Sequence, residues 1–274
     1  MTNSAIDSPE LSGLTMLVNS SDGFEDCWAP FFELLYAHWP DCNYPVLLNT
    51  EEKNWSFPKR NIRASRVAAN EQRRLSWSEC LIRAINQIET LLLLYFQEDY
   101  FLDSPVRVNL IEDAIKLMLD NPEIGHIALT KHGSFGPFEA YPVEGFSQIR
   151  QDARYRISTQ AGLWRPNVLR SYLEPKENGW MFEIFGTWRA QKRPDIFLVA
   201  DFSPEAGGPA IDYVHTGIIK GKWHPLMPDL FAKHKINIDF TKRGFYNPPP
   251  ALIRKWEVIK KLAQDPLHAA RQLF

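Results

Sequence analysis

Two adjacent acids, Glu98 and Asp99, close an apolar run, Leu91–Leu102, that reads LLLLYFQEDYFL. Neighbouring carboxylates supply the hard oxygen ligands that a divalent cation, or a metal carried on a diphosphate, requires. The leucines and aromatics ahead of them predict a strand buried on both faces, as in a parallel sheet. Open α/β sheets hold their ligands at the carboxyl ends of such strands, which is where these acids fall. A solvated acidic turn at the end of a buried strand is the plainer reading of the same residues.

The elements that would position this chemistry follow from periodicity. Leu14–Asn19 reads as a first strand and closes on Ser20-Ser21-Asp22-Gly23, a small polar turn. Trp28, Phe31, Phe32, Leu35 and Trp39 recur at helical spacing, so Asp26–His38 is predicted helical and stopped by Pro40. Tyr44–Asn49 is a second strand, which completes a βαβ unit. Thr50–Arg74 is polar, basic and irregular, with Arg73 and Arg74 placed either to reach phosphate or to form a solvated basic loop. Ser76 and Glu79 form a capping box that starts a helix with Trp77, Cys80, Leu81, Ala84, Ile85 and Ile88 on its apolar face. That helix delivers the chain into the strand that carries the acids.

Farther on, a helix around Ile111–Leu119 and a strand at His126–Thr130 are predicted, then a Gly-, Pro- and aromatic-rich loop at His132–Gln148. Tyr155–Thr159 alternates as an antiparallel strand, Pro166–Leu173 and Trp180–Trp188 as helices, and Ile196–Ala200 and Ile211–Ile219 as strands. The segment Ala251–Phe274 carries five Lys/Arg against two acids on a helical pattern. It reads as a packed helix, with a membrane-surface contact as the alternative.

Composition narrows the class. At 274 residues, with 45% hydrophobic and 23% charged residues, the chain fits one large α/β domain. A net charge of −2 gives no basic footprint for nucleic acid. Cys27, Cys42 and Cys80 have neither metal-ligand spacing nor a disulfide framework, which points to a reducing cytoplasm. No signal peptide is read in the first residues, and no apolar run is long enough to span a bilayer. The nine tryptophans fill cores but also suit stacking on sugar rings.

Taken in order, these segments resemble the GT-A-type glycosyltransferases of bacterial surface-polysaccharide (lipopolysaccharide or capsule) biosynthesis. The resemblance is carried by the Ser21-Asp22 turn followed by Trp28–Phe32, then WPDCNYPVLLNTE (Trp39–Glu51), SWSECLIRAI (Ser76–Ile85) and LLLLYFQEDYFL. It continues through STQAGLWRPNVL (Ser158–Leu169), GWMFEIFGTWRA (Gly179–Ala190) and HTGIIKGKW (His215–Trp223). It implies a GT-A-like, Rossmann-type, mostly parallel sheet over residues 13–248. The donor half would cover about 13–130 and the acceptor half about 131–248, between a disordered lead at 1–12 and a helical tail at 249–274. The implied partners are a nucleotide-sugar donor and a glycan or lipid-linked acceptor; the implied location is the cytoplasm, with peripheral contact at the inner face of the cytoplasmic membrane, through the C-terminal tail, as the alternative.

The resemblance also assigns residues. Ser21 and Asp22 would hold the nucleoside, with Arg74, Trp77, Glu98, Gln160, Lys220 and Lys222 as further donor contacts. Trp164 and Trp180 would meet the acceptor, and Glu183 would be the general base. Asp99 would act at the reaction centre and, with His215, hold Mn2+ or Mg2+. The chain departs from the family's Asp-x-Asp, because Gln97 stands where the first acid belongs. On a strand Gln97 and Asp99 would share one face, with Glu98 on the other. Two other functions fit the same residues: a catalytically silent carbohydrate- or nucleotide-binding protein on this fold, and a metal-dependent phosphohydrolase built on Glu98 and Asp99.

Overall fold

Strand β1 (Leu14–Asn19) is buried along almost its whole length, so it must lie inside a sheet covered on both faces. The structure is a computed structural model and describes residues 13–249. The disordered lead expected at 1–12 and the helix expected over Ala251–Phe274 lie outside the described residues. After β1 the chain turns through Asp22–Phe24 into α1 (Glu25–His38) and returns as β2 (Val46–Leu48), parallel to β1 with Met16 opposite Val46. This is the expected βαβ unit. A further strand, β3 (Ile62–Ala64), extends the sheet where sequence reading placed only irregular chain. It spans three residues, none of them fully buried, so its apolar pattern is too short to stand out.

The capping box is present as predicted. Ser76 accepts from the Glu79 amide while the Glu79 carboxylate accepts from the Ser76 amide, starting α2 (Trp77–Ile85). Helix α2 leads to β4 (Leu92–Gln97), which pairs parallel to β1 on the side away from β2. The strand order therefore reverses between β1 and β4, and the crevice at their carboxyl ends is the switch point where such sheets bind ligands. Leu92, Leu93, Leu94, Tyr95 and Phe96 are all at most 2% exposed, whereas Leu91, taken as part of this strand, is 65% exposed and precedes it. Each such buried apolar side chain contributes about 1.5–3 kcal/mol relative to exposure.

The remaining elements are α3 (Val108–Asp120), β5 (Ile124–Ala128), β6 (Phe138–Ala140), β7 (Phe146–Ile149) and β8 (Gly162–Trp164). They are followed by α4 (Pro166–Tyr172), α5 (Gly179–Gln191), β9 (Ile196–Ala200), the short pair β10 (Ile218–Ile219) and β11 (Lys222–Trp223), and α6 (Met227–Lys233). The nine-stranded sheet has the order β3-β2-β1-β4-β8-β5-β9-β7-β6. Only β7 and β8 run against the others, so the sheet is mixed and mostly parallel, a Rossmann-like α/β fold. One face packs under α1, α3 and α6, the other under α2, α4 and α5. Among the described residues no helix is long and apolar enough to cross a membrane.

Three expectations fail for physical reasons. Tyr155–Thr159 is a series of turns rather than a strand, with Tyr155 at φ +51°. The antiparallel strand begins later, at Gly162, where β8 wedges between β4 and β5. A Cβ at Gly162 would stand 2.6 Å from His126 Cε1 and 2.8 Å from the Ile127 carbonyl oxygen, so only glycine fits. Of Ile211–Ile219 only the last two residues form a strand; Tyr213 makes one isolated bridge to Leu102 and otherwise works through its side chain. The loop at His132–Gln148 contains β6 and the start of β7, an edge pair whose β6 residues are all exposed and so lack an alternating pattern.

Gly162→Ala forces backbone and imidazole apart at the sheet centre. We expect a loss of about 1–3 kcal/mol or more in chemical denaturation, and an unchanged midpoint would contradict the wedge.

Candidate functional site

At the carboxyl ends of the first parallel strands a row of uncharged side chains is joined in series. The Ser65 hydroxyl donates to Asn49 Oδ1 (2.9 Å), and the Asn49 amide donates to Asn19 Oδ1 (2.8 Å). Asn19 in turn donates to the Tyr95 hydroxyl (3.2 Å), which also accepts from Gln97 (3.4 Å). One row thus ties the ends of β1 and β4 to the residues just past β2 and β3. Sequence reading missed it, although β1 and the predicted second strand both end on asparagine, Asn19 and Asn49, after a buried aliphatic. Asn19, Asn49 and Tyr95 are each at most 2% exposed and bond along the row, so it holds the strand ends together from within rather than facing a ligand.

Asp22 stands beside this row and is occupied. Its carboxylate accepts from the backbone amides of Glu51, Glu52 and Lys53 at 2.9–3.1 Å, while its own amide donates to the Glu51 carboxylate. It fastens the turn after β1 to the loop after β2, as Asx side chains do. Ser21 lies in that turn, half-buried, and makes no side-chain cap.

The two acids after β4 lie in a turn rather than on the strand, and both are 6% exposed. They diverge in their partners. Asp99 Oδ2 accepts from the Thr216 hydroxyl and from the Ile218 amide (3.0 Å), and the Asp99 carbonyl accepts from the Gly217 amide (2.8 Å). Gly217 has no room for a Cβ, which would fall 2.3 Å from the Phe101 ring. Asp99 therefore clamps the segment that carries His215 and the β10–β11 hairpin. Glu98 receives no hydrogen bond from any other described residue. Burial first, then the neighbouring Asp99, push its carboxyl well above the ordinary range, against the pull of Arg243. Burial also raises Asp99, opposed by Thr216, the Ile218 amide and His215.

The metal assignment does not fit this donor set. Asp99 has one oxygen committed to protein donors, Glu98 lies within electrostatic reach of Arg243 and Asp26, and Gln97 faces Tyr95. His215 is exposed and its ring is 5.1 Å from that of His132. Among the described residues no group of three or more His, Cys, Asp or Glu side chains is placed to hold a metal ion.

Glu183 takes its position from α5, whose start is fixed by Asn178 accepting from the Met181 amide (3.0 Å). Both the amide and the hydroxyl of Thr159 donate to Glu183 Oε1, each at 2.8 Å. Glu183 Oε2 accepts no hydrogen bond among the described residues. Burial raises the carboxyl, while the two Thr159 bonds and the His215 charge lower it. Trp77 on α2 packs against Phe182 and over Gly179, so the first turns of α2 and α5, which hold Trp77, Trp180 and Glu183, adjoin. Arg73 is paired with Glu79 and also donates to the Arg74 carbonyl, whereas the Arg74 side chain is exposed.

Two assigned contacts are corrected. Trp164 lies within β8, 1% exposed and stacked on His126 at 3.9 Å, so it is core and cannot meet an acceptor sugar. Gln160 is 9% exposed with both ends of its amide in use, donating to Tyr100 and accepting from Tyr213 at 3.0 Å each. Lys220 and Gly221 form a two-residue hairpin turn with φ +51° and +79°, which leaves Lys220 and Lys222 exposed beside the Asp99 clamp. Arg243 was not legible in the sequence. It reaches across 217 residues to Asp26 (2.7 Å) and to the Gly23 carbonyl (2.6 Å). With Lys242 it lines a cavity of about 330 Å³ against Asp22, Gly23, Glu25 and Asp26.

No protein-family model matches the chain, and no curated protein does. Among solved structures it is similar to S. aureus TarS 1-349, with a TM-score of 0.47 and 14% identity over 70% of this chain and 58% of that one. The chain thus spans little more than half of that structure, which is also known in complex with UDP-GlcNAc. It is similar as well to UDP-glucose pyrophosphorylase complexed with UDP-glucose (TM-score 0.49, 10% identity, 81% of this chain and 98% of that one). A third is glucosyl-3-phosphoglycerate synthase from Mycobacterium tuberculosis (TM-score 0.41, 9% identity, 69% of each chain). At 9–14% identity these likenesses assign no residue of this chain a role.

Glu98→Gln keeps the shape and removes the charge. A carboxyl raised on folding contributes stability below its unfolded pKa and loses it as pH rises through the folded value. The variant should therefore melt higher than the parent near neutral pH, with the gap closing as pH falls toward about 4.3. Identical melting curves at every pH would contradict the buried, unpaired carboxyl.

Proposed function

We propose that the chain is a glycosyltransferase that moves a sugar from a nucleoside-diphosphate donor to a glycan or lipid-linked acceptor in surface-polysaccharide synthesis. The observation that carries this reading is Glu183: a half-buried carboxylate beside the carboxyl ends of the central strands, with one oxygen held and the other open. The sequence resemblance supports the same position. In this reading the nucleoside lies at the Ser21–Asp22 turn, and the diphosphate lies toward the β10–β11 hairpin.

The reaction is a single in-line displacement. The acceptor hydroxyl oxygen attacks the anomeric carbon, Glu183 Oε2 takes the hydroxyl proton, and the bond from that carbon to the diphosphate oxygen breaks. The leaving diphosphate carries away the electron pair, with Lys220 and Lys222 as the positive groups on its side. Such charge placement is worth most where water is excluded. No step is routed through a metal, because the donor set does not converge on one. A silent binding protein would hold the same nucleotide and transfer nothing.

Two measurements separate these readings. A nucleoside diphosphate or nucleotide sugar that binds only the folded chain should raise Tm by mass action, with and without manganese. Glu183→Gln should keep that shift and lose about 10²–10⁴-fold in transfer rate. A well-folded parent that shifts with no nucleotide would overturn the assignment, and a shift without transfer from any donor would favour the silent protein. In the parent the rate should fall as pH drops, with its acid limb above the ordinary carboxylate range because burial raises Glu183.

A further inference from the structure

Thr159 gives Glu183 two hydrogen bonds of equal length on a single oxygen, one from the backbone and one from the side chain. A surface glutamate seldom receives such a double donor, and the donor here is itself immobilised. The Thr159 carbonyl accepts from the Tyr100 hydroxyl at 2.8 Å. Tyr100 is stacked on Tyr213 at 4.7 Å and accepts from Gln160, which accepts from the Tyr213 hydroxyl. The Ala161 amide closes the network on the same Tyr213 hydroxyl at 3.0 Å. One helical turn beyond Glu183, the Thr187 hydroxyl accepts from the Ile157 amide at 3.1 Å, so α5 is fastened to the 157–159 turns twice. Tyr100, Gln160, Thr159 and Tyr213 are each at most 9% exposed, so this network is fixed from all sides.

We propose that Thr159 is the positioning residue of Glu183, holding Oε1 through both of its donors and leaving Oε2 as the single oxygen presented to a substrate hydroxyl. This deepens the transferase reading and rests on it for the role of Oε2. It also explains why Gln160, assigned to the donor, is locked inside: its amide holds the turn that holds the base. Hydrogen bonds donated to a carboxylate favour the charged form, so Thr159 also tempers the basicity that burial raises. The other titratable groups that face Glu183 are His215, which favours the carboxylate, and the buried Tyr95 and Tyr100.

The test is a carboxyl-carbon NMR titration of the full chain labelled at glutamate, with the Glu183 signal identified by its loss in Glu183→Gln. Thr159→Val removes one donor with little change of shape. Its Glu183 midpoint should rise by about one pH unit. Thr159→Ser should restore the parent midpoint. In parallel, UDP release from a panel of UDP-sugars should show the acid limb moved by the same amount in Thr159→Val. An unmoved midpoint in a folded Thr159→Val protein would overturn the proposal. If the midpoint moves while Glu183→Gln retains the full rate, Thr159 positions Glu183 as proposed and the base assignment fails instead.

Discussion

The site depends on one constraint: β8 must fit between β4 and β5, antiparallel to both. Gly162 permits this by leaving its Cβ position to His126 and the Ile127 carbonyl. Because β8 runs against its neighbours, its beginning lies where β4 and β5 end. The turns at 155–161 are thereby brought to the carboxyl edge of the sheet, and Thr159 and Gln160 come with them. The helices α4 and α5 follow directly, and Glu183 arrives over the same edge. A parallel strand in this place would have put Thr159 at the opposite end of the sheet from Glu98 and Asp99.

Around that edge the protein keeps three carboxyls, Glu98, Asp99 and Glu183, in surroundings that disfavour their charge. Each is handled differently. Asp99 is held by the Thr216 hydroxyl and the Ile218 amide, and becomes the clamp for the segment after Tyr213. Glu183 is half satisfied, with one oxygen fixed by Thr159. Glu98 is eased only by its own backbone amide and the charge of Arg243. Burying charge without a partner costs stability, and chains retain such groups mainly at working sites. Asp99 is thus committed to holding the fold, whereas Glu98 and Glu183 are less fully partnered among the described residues.

Much of the frame was legible. The helix of α1, the capping box, the β4 run and the βαβ order each follow from local patterns, because those elements bury a periodic face against the sheet. The site was legible in part. Glu183 stood out as an acid on a helix with an apolar stripe, and the Glu98–Asp99 pair as acids after a buried strand. What failed was long-range and short. β3, β6 and β8 span three residues each, too few to carry a period. Trp164 reads as a stacking residue until its strand is seen to be central. Arg243 and Thr159 gain meaning only from partners far off in the chain, Asp26 and Glu183.

The central claim is that the carboxyl ends of β1 and β4, under Glu183, form the donor site. The most direct measurement is a crystal structure of the full chain with uridine diphosphate. The expected result places the base at the Ser21–Asp22 turn and the diphosphate between the β4 turn and the β10–β11 hairpin, leaving Glu183 Oε2 facing the space for a sugar. Nucleotide bound instead in the groove of Leu110, Leu117, Val143 and Phe146 beside α3 would contradict it.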